Sequence, residues 1–95
     1  MQLYVRLKVL DTLPGDADIK VRAVVGEQIG KIMQSGKVVF SGIFGDQRGG
    51  FFVLNVNEAY ELYELLDFAV LVNCEVETHP LLSIDQLMKF FQTHG

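Results

Sequence analysis

The residues able to do chemistry stand in alternation with apolar ones. Near the start, Tyr4, Arg6 and Lys8 alternate with Leu3, Val5, Leu7 and Val9, and late in the chain Glu75, Glu77 and His79 alternate with Cys74, Val76 and Thr78. Such spacing puts each charged set on one face of a strand. An arginine next to carboxylates can hold the negative charge that develops on a carboxylate or lactone-like ligand while a carboxylate takes and returns a proton. The candidates for catalysis are Arg6 as the ligand-holding cation, Glu75 as the proton carrier, and Glu27, aimed at the same place from a helix. Tyr4, Phe40, Phe51, Asn55 and His79 are the candidate ligand-binding residues. A structural reading stays open beside the catalytic one. Opposite charges on neighbouring antiparallel strands also serve as cross-strand pairs, each contributing about 0.2–1 kcal/mol. Glu27 has Lys31 four residues on, in the favourable order for a surface pair, and His79 before Pro80 suits a strand end as well as a proton shuttle.

Other chemistries lack their residues. One cysteine, Cys74, permits no internal disulfide, and its apolar flank from Val70 to Val72 suits a buried thiol. His79 and His94 have no companions at metal-ligand spacing, so no metal is expected. Gly42, Gly45, Gly49 and Gly50 form neither a dinucleotide fingerprint nor a phosphate loop, no Gly-x-Ser-x-Gly occurs, and no cofactor is expected. Eight basic against twelve acidic residues give a net charge of -4, the wrong sign for nucleic acid or anionic lipid. No apolar run approaches the roughly 20 residues of a membrane span, and the alternating N-terminus does not read as a signal peptide. A cytoplasmic location is the expectation.

With 95 residues, 49% of them hydrophobic and 21% charged, the chain reads as one folded domain over residues 1–95. A chain this short buries only about 60–65% of the surface its unfolded form exposes, so a partner subunit would supplement a thin core.

The elements that must position the candidates follow from period and punctuation. Gln2 to Leu10 alternates and predicts a strand. Pro14-Gly15-Asp16 predicts a turn and helix start, and Val21, Val25, Ile29, Ile32 and Met33 recur at helical spacing until Gly36. Within it, Gly26 and Gly30 suggest close packing against another element. Lys37–Phe44 and Gly50–Val56 predict a hairpin across Gly45–Gly49. Asn57 is expected to cap a helix that buries Ala59, Leu62, Tyr63 and Leu66. Asp67–Val72 is ambiguous by period, Asn73–His79 predicts a fourth strand, and Pro80 is expected to stop it. Ser83-Ile84-Asp85-Gln86 matches a capping box, with Leu82 and Leu87 as its staple, and opens a C-terminal helix over 83–92.

This order predicts an α+β, ferredoxin-like βαββαβ fold: a four-stranded antiparallel sheet with an appended C-terminal helix. Both main helices then cover one sheet face. The first and fourth strands are neighbours, which brings Arg6 within reach of Glu75 or Glu77. The uncovered face carries Tyr4, Arg6, Lys8, Phe51, Val53, Asn55, Glu75, Glu77 and His79, plus either Val38 and Phe40 or Val39 and Ile43. An apolar patch of that kind is one that monomers avoid, so a homodimer or larger homo-oligomer is expected, with a small-molecule cavity between facing sheets.

Tyr4-Val5-Arg6-Leu7-Lys8-Val9, Ser35-Gly36-Lys37, Gly50-Phe51-Phe52-Val53-Leu54-Asn55-Val56, Cys74-Glu75-Val76-Glu77 and Pro80-Leu81-Leu82 together give a chain that resembles the muconolactone δ-isomerase-like group of dimeric α/β-barrel proteins over nearly its whole length. The resemblance implies paired sheets enclosing a cavity, assembly into dimers or rings, and proton transfer on a lactone-like ligand without a cofactor. It places Arg6, Glu75 and Glu27 at matching positions, whereas Tyr4 stands where the isomerases carry histidine and the second strand is more apolar than theirs. That departure points to a ligand other than muconolactone. A noncatalytic binding or assembly module and a cofactor-free monooxygenase are the alternatives. The C-terminal helix goes beyond the isomerase-like core and is expected at a subunit contact, so that removing residues 83–95 lowers the oligomeric mass.

Overall fold

The structure, a computed structural model, describes Met1–His94. Its elements run β1 (Gln2–Val9), α1 (Gly15–Gln34), β2 (Val38–Ile43), β3 (Gly49–Asn55), α2 (Glu61–Leu65), α3 (Phe68–Asn73), β4 (Cys74–Leu81) and α4 (Ile84–His94). The four strands form one antiparallel sheet in the order β2-β3-β1-β4. This α+β arrangement is compatible with a ferredoxin-like fold.

Alternation in β1 sends Leu3, Val5, Leu7 and Val9 to one face, where they are buried with Phe52, Leu54, Val56 and Cys74 from the neighbouring chain segments. Val25 and Ile32 from α1, Leu62 from α2 and Val70 from α3 close over them. At about 25 cal/mol per Å² of apolar area removed from water, this layer is the main favourable term in folding. Gln28 is the one polar side chain buried there among the described residues. Its Nε2 donates to Asp67 Oδ2 at 2.6 Å, and its Oε1 accepts from the Asp67 backbone N–H at 3.2 Å, tying α1 to the start of α3.

Gly36 ends the α1 region with a positive φ of 77°, the left-handed conformation in which glycine has no steric cost. Gly49 answers a different need. A Cβ there would stand 1.9 Å from the backbone oxygen of Leu7, so only glycine lets β3 approach β1 at that point. Gly26 and Gly30, by contrast, face open space, and an added Cβ would meet nothing within 4 Å. Close packing within the chain is therefore not their reason.

Three expectations about the elements are corrected, and one stretch left open by period is assigned. Asn57 does not cap α2. The chain makes turns through Tyr60 first, and Glu61 supplies the cap in reverse, its Oε2 accepting from the backbone N–H groups of Asn57 and Glu58. The ambiguous stretch Asp67–Val72 is helical, and Leu66, extended at φ −112° and ψ 131°, separates α2 from α3. Pro80 does not stop β4, which pairs with β1 as far as Leu81. Because β4 is an edge strand, a residue whose nitrogen faces away from the sheet has no ladder bond to lose. In β2, an irregularity between Val38 and Phe40 shifts the phase of alternation. Val38 packs on the core while Phe40 is opposite Val53 on the other face, and Ile43, opposite Gly50, is back on the helix side. Neither expected pairing of β2 residues occurs.

Candidate functional site

Strand register places the candidate side chains. Across the sheet face that no helix covers, Tyr4 is opposite both Val53 and His79, Arg6 is opposite both Phe51 and Glu77, and Lys8 is opposite Glu75. Phe40 and Gly42 join this face from β2, opposite Val53 and Phe51. Residues directly opposite one another share a face, so one surface carries two cations, two carboxylates, an imidazole and three aromatic rings.

The aromatic part is continuous. Phe40 and Phe51 have ring centroids 5.7 Å apart, Phe51 and Tyr4 stack at 6.0 Å, and Tyr4 and His79 stack at 6.1 Å. Gly42 keeps that floor flat, since a Cβ there would stand 2.5 Å from Phe51 Cε1. The charged part adjoins it. Arg6 Nη1 lies 3.8 Å from Glu75 Oε2 and 3.8 Å from Glu77 Oε2, and its guanidinium sits 5.6 Å from the Phe44 ring centroid. Glu77 Oε1 is also 3.1 Å from His79 Nε2. At 3.8 Å the arginine is in Coulombic reach of both carboxylates without a hydrogen bond to either, which leaves its N–H groups for an incoming oxygen. The Arg6 side chain is 30% exposed, against 61% for Glu75 and 49% for Glu77. The cation is thus sunk between its partners, with its stem on the sheet.

Of the sequence candidates, Tyr4, Arg6, Phe40, Phe51, Glu75 and His79 come together. Asn55 is opposite Gln2 at the end of the same face and is exposed. Glu27 is exposed on α1, whose buried residues pack on the opposite side of the sheet, so it does not join the cluster. Among the described residues it makes no ion pair with Lys31 either. Glu77, considered in the sequence only as an alternative partner for Arg6, proves to be the carboxylate that touches both Arg6 and His79. The signal was available in the alternation of β4, but the register that selects between Glu75 and Glu77 was not.

The stronger polar contacts lie outside this face. Arg48, in the β2–β3 loop, donates from Nη2 to the Leu10 carbonyl at 2.8 Å and to Asp18 Oδ1 at 2.7 Å, and its Nε is 2.9 Å from Asp11 Oδ1 without the alignment of a hydrogen bond. The hydrogen-bonded guanidinium holds the Asp18 carboxyl below its ordinary range, and Asp18 raises Arg48 in turn. Glu61 is likewise held low by the Glu58 N–H and by Lys37 Nζ at 2.9 Å. Burial pushes the Cys74 thiol up, away from the reactive thiolate. These groups clamp loops and helix ends. Two concavities also lie off the open face: an apolar crevice of about 90 Å³ between α1 and α3, and a shallow one of about 600 Å³ where β4 turns into α4.

Among the described residues, no group of three or more His, Cys, Asp or Glu could hold a metal ion, and no helix is long and apolar enough to cross a membrane. No protein-family model matches the chain, and no curated protein matches it.

Proposed function

We propose that the chain is a small homo-oligomeric protein that binds an anionic or carbonyl-bearing small molecule on the open sheet face, sheltered by a second copy, and moves a proton on it without a cofactor. The observation that carries this reading is Arg6 held between Glu75 and Glu77 at the edge of a continuous aromatic floor. A flat ligand stacks on Tyr4 and Phe51. Its oxygen takes the arginine N–H groups that no carboxylate engages, and charge developing on that oxygen is stabilised there. Glu75 or Glu77 accepts a proton from the carbon next to the carbonyl and returns it elsewhere on the same molecule, which balances as an isomerisation. His79, beside Glu77, orients that carboxylate or relays its proton. Exclusion of water by the second sheet strengthens each of these interactions.

A thermal-shift series with small dicarboxylates and γ-lactones tests the binding step, and solvent deuterium uptake into the lactones, followed by NMR, tests the proton step. Wild type should be stabilised by at least one compound, with the shift lost in Arg6→Gln. Glu75→Gln or Glu77→Gln should keep the shift and lose deuterium uptake. No shift with any compound, or the same shift in Arg6→Gln, sinks the reading. The loose 3.8 Å separations favour a second reading, in which the charges only set the pairing of two sheets. Arg6→Gln would then lower the assembly mass, and no compound would shift wild type.

A further inference from the structure

The helix α4 follows β4 and buries none of its described residues against the rest of the molecule. Ile84, Leu87, Met88 and Phe91 recur at i, i+3, i+4 and i+7, the spacing of an apolar face built to be covered. None of its residues is buried, however, and the four are 39–76% exposed. An eleven-residue helix standing by itself is marginal in water. The capping box at its start is nevertheless complete: the Ser83 N–H donates to Gln86 Oε1 at 2.8 Å and the Gln86 N–H donates to Ser83 Oγ at 3.0 Å. The sequence therefore specifies a helix that no surface among the described residues covers.

The size of the missing cover can be read from the whole molecule. The chain exposes 6364 Å², about 850 Å² more than a folded monomer of its mass normally does. In a standard-size interface each partner gives up about 800 Å². Its radius of gyration is 15.6 Å, against about 12 Å for a compact domain of this length. The surplus matches one protomer's share of a dimer contact.

The chain also holds a surface that α4 fits. Val39 and Ile43 of β2 are 55% and 60% exposed on an unpaired edge strand, the kind of edge that proteins cover. It is the edge opposite β4, three strands from the point where the chain's own α4 departs. A second copy can place its α4 there. Anionic lipid is a poor rival, because between its ends the polar side of α4 offers a single lysine, Lys89, offset by Asp85.

We propose that α4 is an exchanged arm: in a symmetric pair of chains, α4 of each lies along the β2 edge of the other, with Leu87, Met88 and Phe91 covering Val39 and Ile43. The contact is self-complementary, each chain giving one arm and receiving one, so the assembly closes at two copies. It goes beyond the ligand reading and requires no ligand.

Light scattering of the full chain should give twice the 10.7 kDa chain mass, and the double variant Leu87→Asp/Phe91→Asp should give the single mass. Its strand signal in circular dichroism should be kept, since both positions lie outside the core. For direct placement, Leu87→Cys and Ile43→Cys chains, both carrying Cys74→Ala, are mixed and treated with a short bismaleimide. A cross-linked species containing one chain of each kind is the expected product. A wild type of single mass at every concentration, a dimer that survives the double aspartate variant, or the absence of the mixed species overturns the arm. A surviving dimer that still responds to a lactone would leave the ligand reading intact. A dimer broken by the arm variants, with no compound shifting wild type, would do the reverse.

Discussion

Arg48 and Asp18 show how residues outside the candidate site hold it in place. Their contact joins the β2–β3 loop to α1, and the Leu10 carbonyl adds the end of β1. Because Asp18 is held below its ordinary range when folded, its contribution to stability is full above the unfolded carboxylate value of about 3.9 and is lost as pH falls through the folded value. Denaturant titrations at several pH values should therefore show Asp18→Asn less stable than wild type at pH near 6, with the gap closing only below about pH 4. A gap that stays constant down to acid would refute the assignment. Gln28 invites a second test. Gln28→Ala removes both hydrogen bonds to Asp67 and should cost about 1–3 kcal/mol, read as a fall in midpoint of roughly 4–8 °C per kcal/mol. Gly49→Ala should be worse, about 3 kcal/mol or more, because the clash is with backbone at Leu7 that cannot rotate away. The Arg6 pairing could be anticipated in sequence because strand alternation and the order of elements supply it. The Arg48, Gln28 and Glu61 contacts could not, since they join segments 24–39 residues apart through side-chain geometry that no local pattern encodes.

At the scale of elements, β1 and α1 could be read from period alone: the alternation of Leu3 to Val9 and the helical spacing of Val25 and Ile32 each encode burial on one side. Legibility failed where tertiary packing overrode local chemistry. The bulge after Val38 reverses the facing of the rest of β2, which no alternation count detects. Pro80 is tolerated because β4 ends up at an edge, a fact set by topology. Of the residues whose spacing fits one continuous helix, Leu62 is buried in α2 and Leu66 as an extended residue between two short helices, whereas Ala59 and Tyr63 are exposed, contrary to expectation. The capping box of α4, in contrast, could be read in full, because its hydrogen bonds are local. Ser83→Ala should remove the Gln86 N–H acceptor and cost about 1 kcal/mol of helix stability, visible as a lower helical signal in circular dichroism and faster amide exchange over residues 85–88. An unchanged exchange rate there would mean that the cap contributes nothing to α4.

For the whole molecule, exposed apolar area decides what the purified chain must do. Val39, Phe40 and Ile43 on one edge and Leu82, Ile84, Met88, Phe90 and Phe91 beyond the other are all more than half exposed. If a second copy covers them, folding and association are one equilibrium and stability depends on protein concentration. A tenfold increase in concentration favours the assembled state by about 1.4 kcal/mol per dimer. Spread over the unfolding entropy of two chains of this length, that raises the midpoint by about 3–4 °C. Calorimetry across two decades of concentration should show this slope for wild type and a flat line for the Leu87→Asp/Phe91→Asp chain. A flat wild-type line would place the open sheet face and α4 in water, and the sheltered chamber proposed around Arg6, Glu75 and Glu77 would not form.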